Sequence, residues 1–234
     1  MEMIMRKIAL DYLDDPVFYA DLIDCLKGGA EIVAAGAAGV LLRTADDTCL
    51  AAADNPDCAR RLLDQLDHCR QLVAHDEHSL AAGVARFGLT PGMTCYSSAY
   101  LGTGLPPVQR DDLHIDTLTP DWVDTVAEHY HADDRSYLTR LLRAGVMLGA
   151  FRGDTLVGFI GQHATGAMGL LEVFPEYRRQ GIARYLLTHL TNKLLADGHV
   201  PYDHIVVGND ASEALQRGLG FTISTRTLTW MWGD

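Results

Sequence analysis

Two arginines and a glycine, set between a predicted strand and a predicted helix, have the spacing that most clearly indicates chemistry. The turn Glu176–Gly181 reads EYRRQG and follows an apolar run that ends at Phe174. Apolar positions then recur every three or four residues from Ile182 to Leu194, which predicts a helix. A turn that enters a helix offers unpaired backbone N–H groups and the positive end of the helix dipole. We therefore predict an anion site whose ligand is a phosphate or pyrophosphate.

Other constellations have weaker signals. The stretches 75–78 (HDEH) and 129–134 (HYHADD) contain conceivable metal ligands, but no known zinc spacing follows either of them. We interpret both as solvated loop and helix ends, and we predict no metal site. Trp230 and Trp232 share one face of the last predicted strand, where packing in a core or interface is favoured over stacking on a ligand.

Composition excludes several classes of protein. The 234 residues carry a formal net charge of −12, which disfavours nucleic-acid binding. The sequence has neither a membrane-length apolar run, about 18 residues, nor a signal-peptide pattern in residues 1–20. The five cysteines include no C-x-x-C pair, which indicates reduced, mostly buried thiols. We expect a cytoplasmic protein with no membrane partner, as a monomer or homodimer.

The first part of the chain predicts an alternation of strands and helices. Residues 6–28 have a helical pattern that Asp14–Pro16 splits in two. Asn55 can cap a helix that starts at Pro56, and Gly88 can close another. Pro91–Gly92 predicts a turn before the strand MTCYSSAYL. Residues 1–101 therefore form an α/β domain, and residues 102–112, with two glycines and two adjacent prolines, form a linker.

The second part, residues 113–234, predicts a similar alternation. Two helices span about 119–131 and 133–144, and the turn 152–154 joins two strands in a hairpin. The strand before EYRRQG and its helix follow. Then come a strand, DHIVVG, a short helix that Asn209 is expected to cap, and a last long strand. Hairpins require antiparallel pairs, so the fold class is α/β (α+β in some schemes), with a mixed, mostly antiparallel sheet flanked by helices.

This second part resembles the GNAT superfamily of acyl-CoA-dependent N-acyltransferases. One piece is V-x-P-x-x-R-R-x-G-x-A, from Val173 to Ala183, and the other is N-x-x-S-x-x-L-x-x-x-L-G-F, from Asn209 to Phe221. Both pieces occur in the family's order, with matching strands beside them, over about Leu113–Trp232. The stretch is most similar to the glycine N-acyltransferase-like branch, in which a smaller, degenerate GNAT-like half precedes the catalytic half.

The resemblance implies a site for acetyl-CoA, or for coenzyme A after transfer, with an amine that attacks the thioester directly. Two strands, about 168–174 and 203–208, are expected to separate around the pantetheine arm. The Val173 backbone is the candidate contact for that arm and for the oxyanion. The implied cofactor-binding residues are Leu171, Val173, Arg178, Arg179, Gln180, Gly181, Ile182, Ala183, Asn209 and Gln216.

The proton-transferring residues depart from the family pattern. The family's usual tyrosine, which protonates the leaving thiolate, aligns with Gln216. Water, Tyr177, Tyr185 and Tyr202 are the open alternatives for this role. The glutamate that serves as the base in this branch aligns with Ala167 and is therefore missing. We predict Glu172 and His204 as replacements, and His163 is a third candidate, since histidine titrates near neutral pH. The alternatives are a solvated Glu172, or one paired with Arg178, and a His204 that only packs in its strand.

Two functions follow from these patterns. The first is the transfer of an acetyl or other short acyl group from acyl-CoA to the amine of a small molecule or amino acid. The second is a catalytically weak acyl-CoA-binding sensor or regulatory protein, because the usual acid and base are missing. The partners in both cases include acyl-CoA, and the sequence does not identify the acceptor.

Overall fold

One mixed sheet of 11 strands runs through the computed structural model, which describes residues 2–130 and 134–233. The strands are β1 (Glu31–Gly36), β2 (Gly39–Arg43), β3 (Cys49–Ala53), β4 (Gln71–Ala74), β5 (Thr90–Ala99), β6 (His114–Thr117), β7 (Met147–Arg152), β8 (Thr155–Gln162), β9 (Met168–Val173), β10 (Tyr202–Val206) and β11 (Thr222–Trp232). The helices are α1 (Glu2–Tyr12), α2 (Ala20–Lys27), α3 (Pro56–Leu63), α4 (Glu77–Phe87), α5 (Val123–Tyr130), α6 (Arg135–Arg143), α7 (Ile182–Ala196) and α8 (Asp210–Arg217). The predicted mixed sheet with flanking helices is confirmed.

The strand order shows that the two parts of the chain share this sheet. The order is β1-β2-β3-β4-β11-β5-β10-β9-β8-β7-β6. The last strand of the chain, β11, lies between β4 and β5, and β5 in turn lies between β11 and β10. Among the described residues only the pairs β3–β4 and β9–β10 are parallel. The strand before the linker and the strand that ends the chain are therefore exchanged between the two parts.

Because of this exchange, β11 contributes to hydrophobic cores formed with the first part of the chain. Leu228 and Trp230 of β11 pack with α1, α2 and the first strands, while Met231 packs on the other face with α3 and α4. Two further cores cover β7, β8 and β9, one under α7 and one under α5 and α6. All five cysteines are buried and unpaired.

Local signals in the sequence fix most helix ends. The Asn55 side chain accepts a hydrogen bond from Cys58 N–H, and Pro56 occupies the first turn of α3, as predicted. Gly88 closes α4 with φ +66°, a left-handed conformation that glycine adopts without strain. The predicted hairpin is β7 and β8.

The turn predicted at Pro91–Gly92 is wrong, because both residues belong to β5, whose register against β11 shifts between Pro91 and Thr94. Its partner β10 pairs only with residues 95–99, so the proline lies where β5 has an open edge on that side. Gly92 is needed because a Cβ there would lie 2.0 Å from a ring atom of Trp232. The stretch EIVAAGAAGVLLR folds as the hairpin β1–β2.

The Asn192 side chain fastens α7 to Leu105, which lies in the predicted linker, residues 102–112. Asn192 Oδ1 accepts from Leu105 N–H at 2.8 Å, and its Nδ2 donates to the Leu105 carbonyl at 2.9 Å. We expect Asn192→Leu to lower the free energy of unfolding by about 2 kcal/mol, because both Leu105 groups lose their partner in a partly buried place. Urea unfolding measures this change. Lys193→Gln, on the exposed side of the same helix, is the control, and an equal change in both variants would contradict the role of the clamp.

Candidate functional site

The two parallel strands β9 and β10 separate almost as soon as they meet. In the described chain they form a single pair, between Met168 and Asp203. Leu170 then has φ +52°, and the register of β9 against β8 shifts beside it, which marks a β-bulge. Beyond that pair a gap opens toward Val173 and Val206, with unused strand edges that can accept an extended chain.

Strand geometry aims the Val173 backbone into this gap. Phe174 N–H donates to the Val157 carbonyl at 3.1 Å, and Val173 is paired with Gly158. Because bonding alternates along an antiparallel ladder, Val173 N–H and C=O point away from β8, toward the gap. The Val173 carbonyl accepts from Arg178 Nε at 2.9 Å on that side. The side chains of Leu171 and Val173 both pack against the core under α7.

The loop after β9 has the backbone of an anion site. It begins with a short 3₁₀ helix, Pro175–Tyr177, and enters α7 through Arg179 at φ +61° and Gly181 at φ +79°. A non-glycine residue in the left-handed region is strained, and such strain occurs often at ligand sites. In the first turn of α7, N–H groups point outward from the helix start without a side-chain cap from residue 181. Alternating conformations of this type make concave sets of N–H donors.

A polar network from the end of the linker supports the loop. Arg110 Nη1 donates to the Gln180 carbonyl at 2.7 Å, and its other guanidinium nitrogens contact Asp112. Arg152 joins Asp112 to the Gln180 side chain, both at 3.0 Å. The Arg110 guanidinium holds the pKa of Asp112 below its usual range. No local pattern signals this role for Arg110, which lies 70 residues before its loop contact.

The region that contains the gap and the loop is similar to known proteins. Residues 147–231 match the family model for FR47-like protein, and no curated protein matches the sequence. A GCN5-related N-acetyltransferase from Kribbella flavida matches with TM-score 0.59 and 14% identity, over 95% of this chain and 96% of that chain. A GCN5-related N-acetyltransferase-like protein from Streptococcus suis has TM-score 0.58 and 16% identity, over 100% of both chains. A Drosophila protein has TM-score 0.62 and 21% identity, over 84% of this chain and 73% of that chain.

The chain has the GNAT fold. At these identities the likeness is one of architecture, and it extends over the amino-terminal part as well as residues 147–231. Within this GNAT fold the loop Arg178–Gly181 is exposed, whereas the Ile182 side chain is buried in the core under α7. A ligand on the loop can therefore reach Ile182 only through its backbone N–H, and Ala183 leaves the next position small.

Glu172 does not stand free at the gap. Its Oε1 accepts from Arg178 Nη2 at 2.8 Å, so the paired alternative considered from the sequence describes the structure. The same guanidinium bonds the Val173 carbonyl, and Arg178 thus closes over the gap edge. A base role for Glu172 requires Arg178 to move first.

The Nδ1 lone pair of His204 is already engaged. Trp230 Nε1–H donates to Nδ1 at 3.0 Å, and an indole N–H can only donate. The ring therefore carries a proton on Nε2, which lies 3.3 Å from Asp21 Oδ2 in a bent contact that falls short of good hydrogen-bond geometry. This arrangement leaves no lone pair for a proton from an amine and argues against the predicted base role.

The carboxylate behind His204 belongs to a buried ion pair. His75 Nε2 lies 3.0 Å from both oxygens of Asp21, and His75 Nδ1 lies 3.1 Å from the Ala51 carbonyl. Both partners only accept, so both ring nitrogens of His75 carry protons and the ring is charged. Burial opposes this state, but Asp21 and the hydrogen bonds raise the pKa of His75. Burial also opposes ionisation of Asp21, and His75 and His204 overcome it and lower its pKa.

The tyrosines differ in their availability as acids. Tyr202 is fully buried and donates to the Thr165 carbonyl at 2.6 Å, so its proton is engaged. Tyr185 is half-buried beside the core under α7, and Tyr177 faces the guanidinium of Arg152. Tyr130 was not a candidate from the sequence, yet burial and the charges of Asp203 and Glu172 raise its pKa. Its phenol therefore lies near the gap.

Asn209 and Gln216 both lie beside β10. The Asn209 side chain caps α8 by accepting from Ser212 N–H at 3.1 Å, which confirms the predicted cap. Gln216 is buried, and its Nε2 donates to Asp203 Oδ2 at 2.5 Å and to Ser212 Oγ at 3.1 Å. Contact of either residue with a cofactor stays a prediction.

A cavity of about 420 Å³ adjoins the point where β9 and β10 meet. Both parts of the chain form its wall, with Thr48, Gln71, Met93 and Cys95 on one side and residues of α6 on the other. The end of β11 supplies Trp230 and Trp232, whose rings stack with centroids 6.2 Å apart. The two tryptophans thus line a cavity, although sequence reasoning favoured plain packing for them.

His163 lies in the same wall and is held neutral. Its Nδ1 lies 2.9 Å from the Tyr137 hydroxyl. Burial lowers the pKa of His163 to about 4, and the neighbouring His204 adds to this effect. A base with so low a pKa removes a proton from an ammonium group poorly.

The histidine clusters noted in the sequence do not assemble metal ligands. His75 is bound to Asp21, and the His129 ring stacks on Phe174 with centroids 3.7 Å apart. Residues 131–133 lie outside the described residues. Among the residues that are described, no three His, Cys, Asp or Glu side chains form a metal-sized cluster, and no helix could span a membrane.

Proposed function

We propose that this chain is an acyl-CoA-dependent N-acyltransferase, which moves an acetyl or other short acyl group to the amine of a small molecule or amino acid. One observation carries the proposal: β9 and β10 share a single pair, separate, and lead into a glycine-bearing arginine loop at the start of α7. The GNAT fold and the match of residues 147–231 support it. The finer placement in the glycine N-acyltransferase-like branch rests on the sequence motifs.

Each end of the donor has a matching group. The N–H groups from Arg179 to Ala183 bind the diphosphate, and Arg178 and Arg179 add charged donors. The pantetheine arm lies along β9 and replaces Arg178 at the Val173 backbone. In the reaction a neutral amine nitrogen bonds to the thioester carbon, and a backbone N–H on the gap edge of β9 stabilises the oxyanion. The C–S bond then breaks, and the leaving thiolate takes a proton as the amide nitrogen loses one.

Thiol release tests this function directly. Acetyl-CoA is mixed with the protein and a panel of amines and amino acids, and free coenzyme A is followed by its reaction with a disulfide dye. We expect release above the rate without protein for at least one acceptor, with an acetylated product of the corresponding mass. Absence of acetyl-CoA binding in calorimetry would overturn the proposal.

The second candidate is an acyl-CoA-binding sensor with little turnover. It is favoured by the Glu172–Arg178 pair, by the occupied ring of His204, and by Gln216 where the resemblance expects a tyrosine. Tight binding of acetyl-CoA together with no acetylated product across the panel would select the sensor over the enzyme.

A further inference from the structure

The cavity beside the β9–β10 pair is placed where the reactive end of the donor would arrive. Its wall includes Asp203, a member of the single pair with Met168, and the neighbouring residues Ala167 and His204. A donor held at the loop after Val173 runs back along β9, a strand of about 3.3 Å per residue, and ends at this pair. The acyl group would therefore face the cavity.

The charges in the wall select a cation. The wall contains three carboxylates, from Asp203 in the interior and from the exposed Asp46 and Asp134 at the mouth. It contains one guanidinium, that of Arg140. His163 adds no charge at neutral pH because burial lowers its pKa to about 4, and Nδ1 of His204 accepts from the Trp230 indole. No cation pairs with Asp203 anywhere in residues 2–130 and 134–233.

The aromatic wall selects the remainder of the ligand. Trp230 and Trp232 present a stacked pair of indole rings, and the exposed fraction of Trp232 is 36%. Indole faces attract both flat apolar groups and cations. A volume of about 420 Å³ is in the range of small-molecule sites and is far too small for a folded protein partner.

We propose that this cavity binds the acceptor, a small primary ammonium compound with an aromatic or other flat apolar group, and that Asp203 holds the ammonium and accepts its first proton. The inference rests on the proposed function and names its substrate class. Asp203 takes one proton from the ammonium, and the neutral amine attacks the thioester carbon. The second nitrogen proton is lost when the C–S bond breaks, and the thiolate is protonated.

Asp203 has the surroundings that such a base needs. Its Oδ2 is fixed by the buried amide of Gln216, which makes Gln216 a positioning residue. Burial raises the pKa of Asp203 to about 6, while His204 and Gln216 act in the opposite direction. The titratable groups facing it in the described chain are Cys95 of β5, Tyr130 of α5 and His204. Burial raises the pKa of the first two, and the charge of Asp203 adds to this effect.

The test separates acceptor binding from donor binding. Calorimetry measures the affinity for phenethylamine, for uncharged 2-phenylethanol of the same shape, and for acetyl-CoA. We expect phenethylamine to bind at least 10-fold more tightly than the alcohol, and Asp203→Asn to remove that difference while acetyl-CoA affinity is kept. Asp154→Asn, in the exposed β7–β8 turn, is the control and should change neither affinity.

A second variant and a pH profile complete the test. Trp232→Leu should weaken phenethylamine 3-fold or more and leave butylamine unchanged. In the wild type kcat/KM for phenethylamine should fall on the acid side of about pH 6, and Asp203→Asn should lose that limb with a 100-fold lower plateau. Equal binding of amine and alcohol, or an unchanged Asp203→Asn profile, would overturn the inference. If the wild type does not bind acetyl-CoA, the proposed function is overturned instead.

Discussion

Replacing Gly181 with valine is expected to weaken acetyl-CoA binding by more than about 100-fold, which corresponds to nearly 3 kcal/mol. Gly181 starts α7 at φ +79°, where a β-branched residue is strained and would turn the neighbouring N–H donors away from the diphosphate. The fold itself has room for a Cβ, whose nearest neighbour would be Arg110 Nη1 at 3.7 Å. The loss should therefore appear in binding more than in folding, and calorimetry with acetyl-CoA measures it.

Gly198 provides a matched control at the other end of the same helix. It has φ +84°, and a Cβ there would meet no atom within 4 Å. Gly198→Val should carry a similar backbone strain, about 1–2 kcal/mol, and bind acetyl-CoA as the wild type does. Equal affinity losses in both variants would mean that α7 responds to strain as a whole and that the loop is not the diphosphate site.

Asp21→Asn is expected to lower the free energy of unfolding by about 4 kcal/mol, because it leaves the charged, fully buried His75 without its partner. Asp21 comes from α2, and His75 follows β4, so the pair fastens the first helices to the sheet beside β10. Urea unfolding measures the loss. Asp11→Asn, which removes the exposed pair with Lys7, should have no measurable effect. A loss of similar size in both variants would contradict the role of the buried pair.

The same pair sets a pH window for stability. The pKa of Asp21 is lowered, so its contribution is complete above its unfolded pKa, about 3.9, and is lost as pH falls further. The pKa of His75 is raised, so its contribution is complete below about 6.5 and is lost as pH rises through the folded value. Unfolding midpoints from pH 3 to 9 should show this dependence, and the double variant Asp21→Asn/His75→Gln should flatten it.

Features with local causes could be predicted from the sequence. The caps at Asn55, Gly88 and Asn209 need only residues within one turn, and each formed as predicted. The arginine loop is also local, because a strand, a glycine-bearing turn and a helix follow one another in the chain. These elements carry the predicted donor site.

Features with distant causes could not be predicted in this way. Gly92 belongs in a strand because Trp232, 140 residues later, packs on it, and nothing beside Pro91 signals this. The lone pair on His204 is engaged by Trp230 across the exchanged strand β11. Asp203 was not predicted as a site residue because its role depends on a cavity formed by both parts of the chain. An acidic residue inside a predicted strand was the available signal.

A crystal structure with coenzyme A tests the central claim most directly. We predict the diphosphate on the N–H groups between Arg179 and Ala183, and the pantetheine arm in the gap with an amide carbonyl on Val173 N–H. Arg178 should have left the Val173 carbonyl, and the thiol should point to the cavity at Asp203. Coenzyme A bound anywhere else, with Arg178 still on the Val173 carbonyl, would contradict the account.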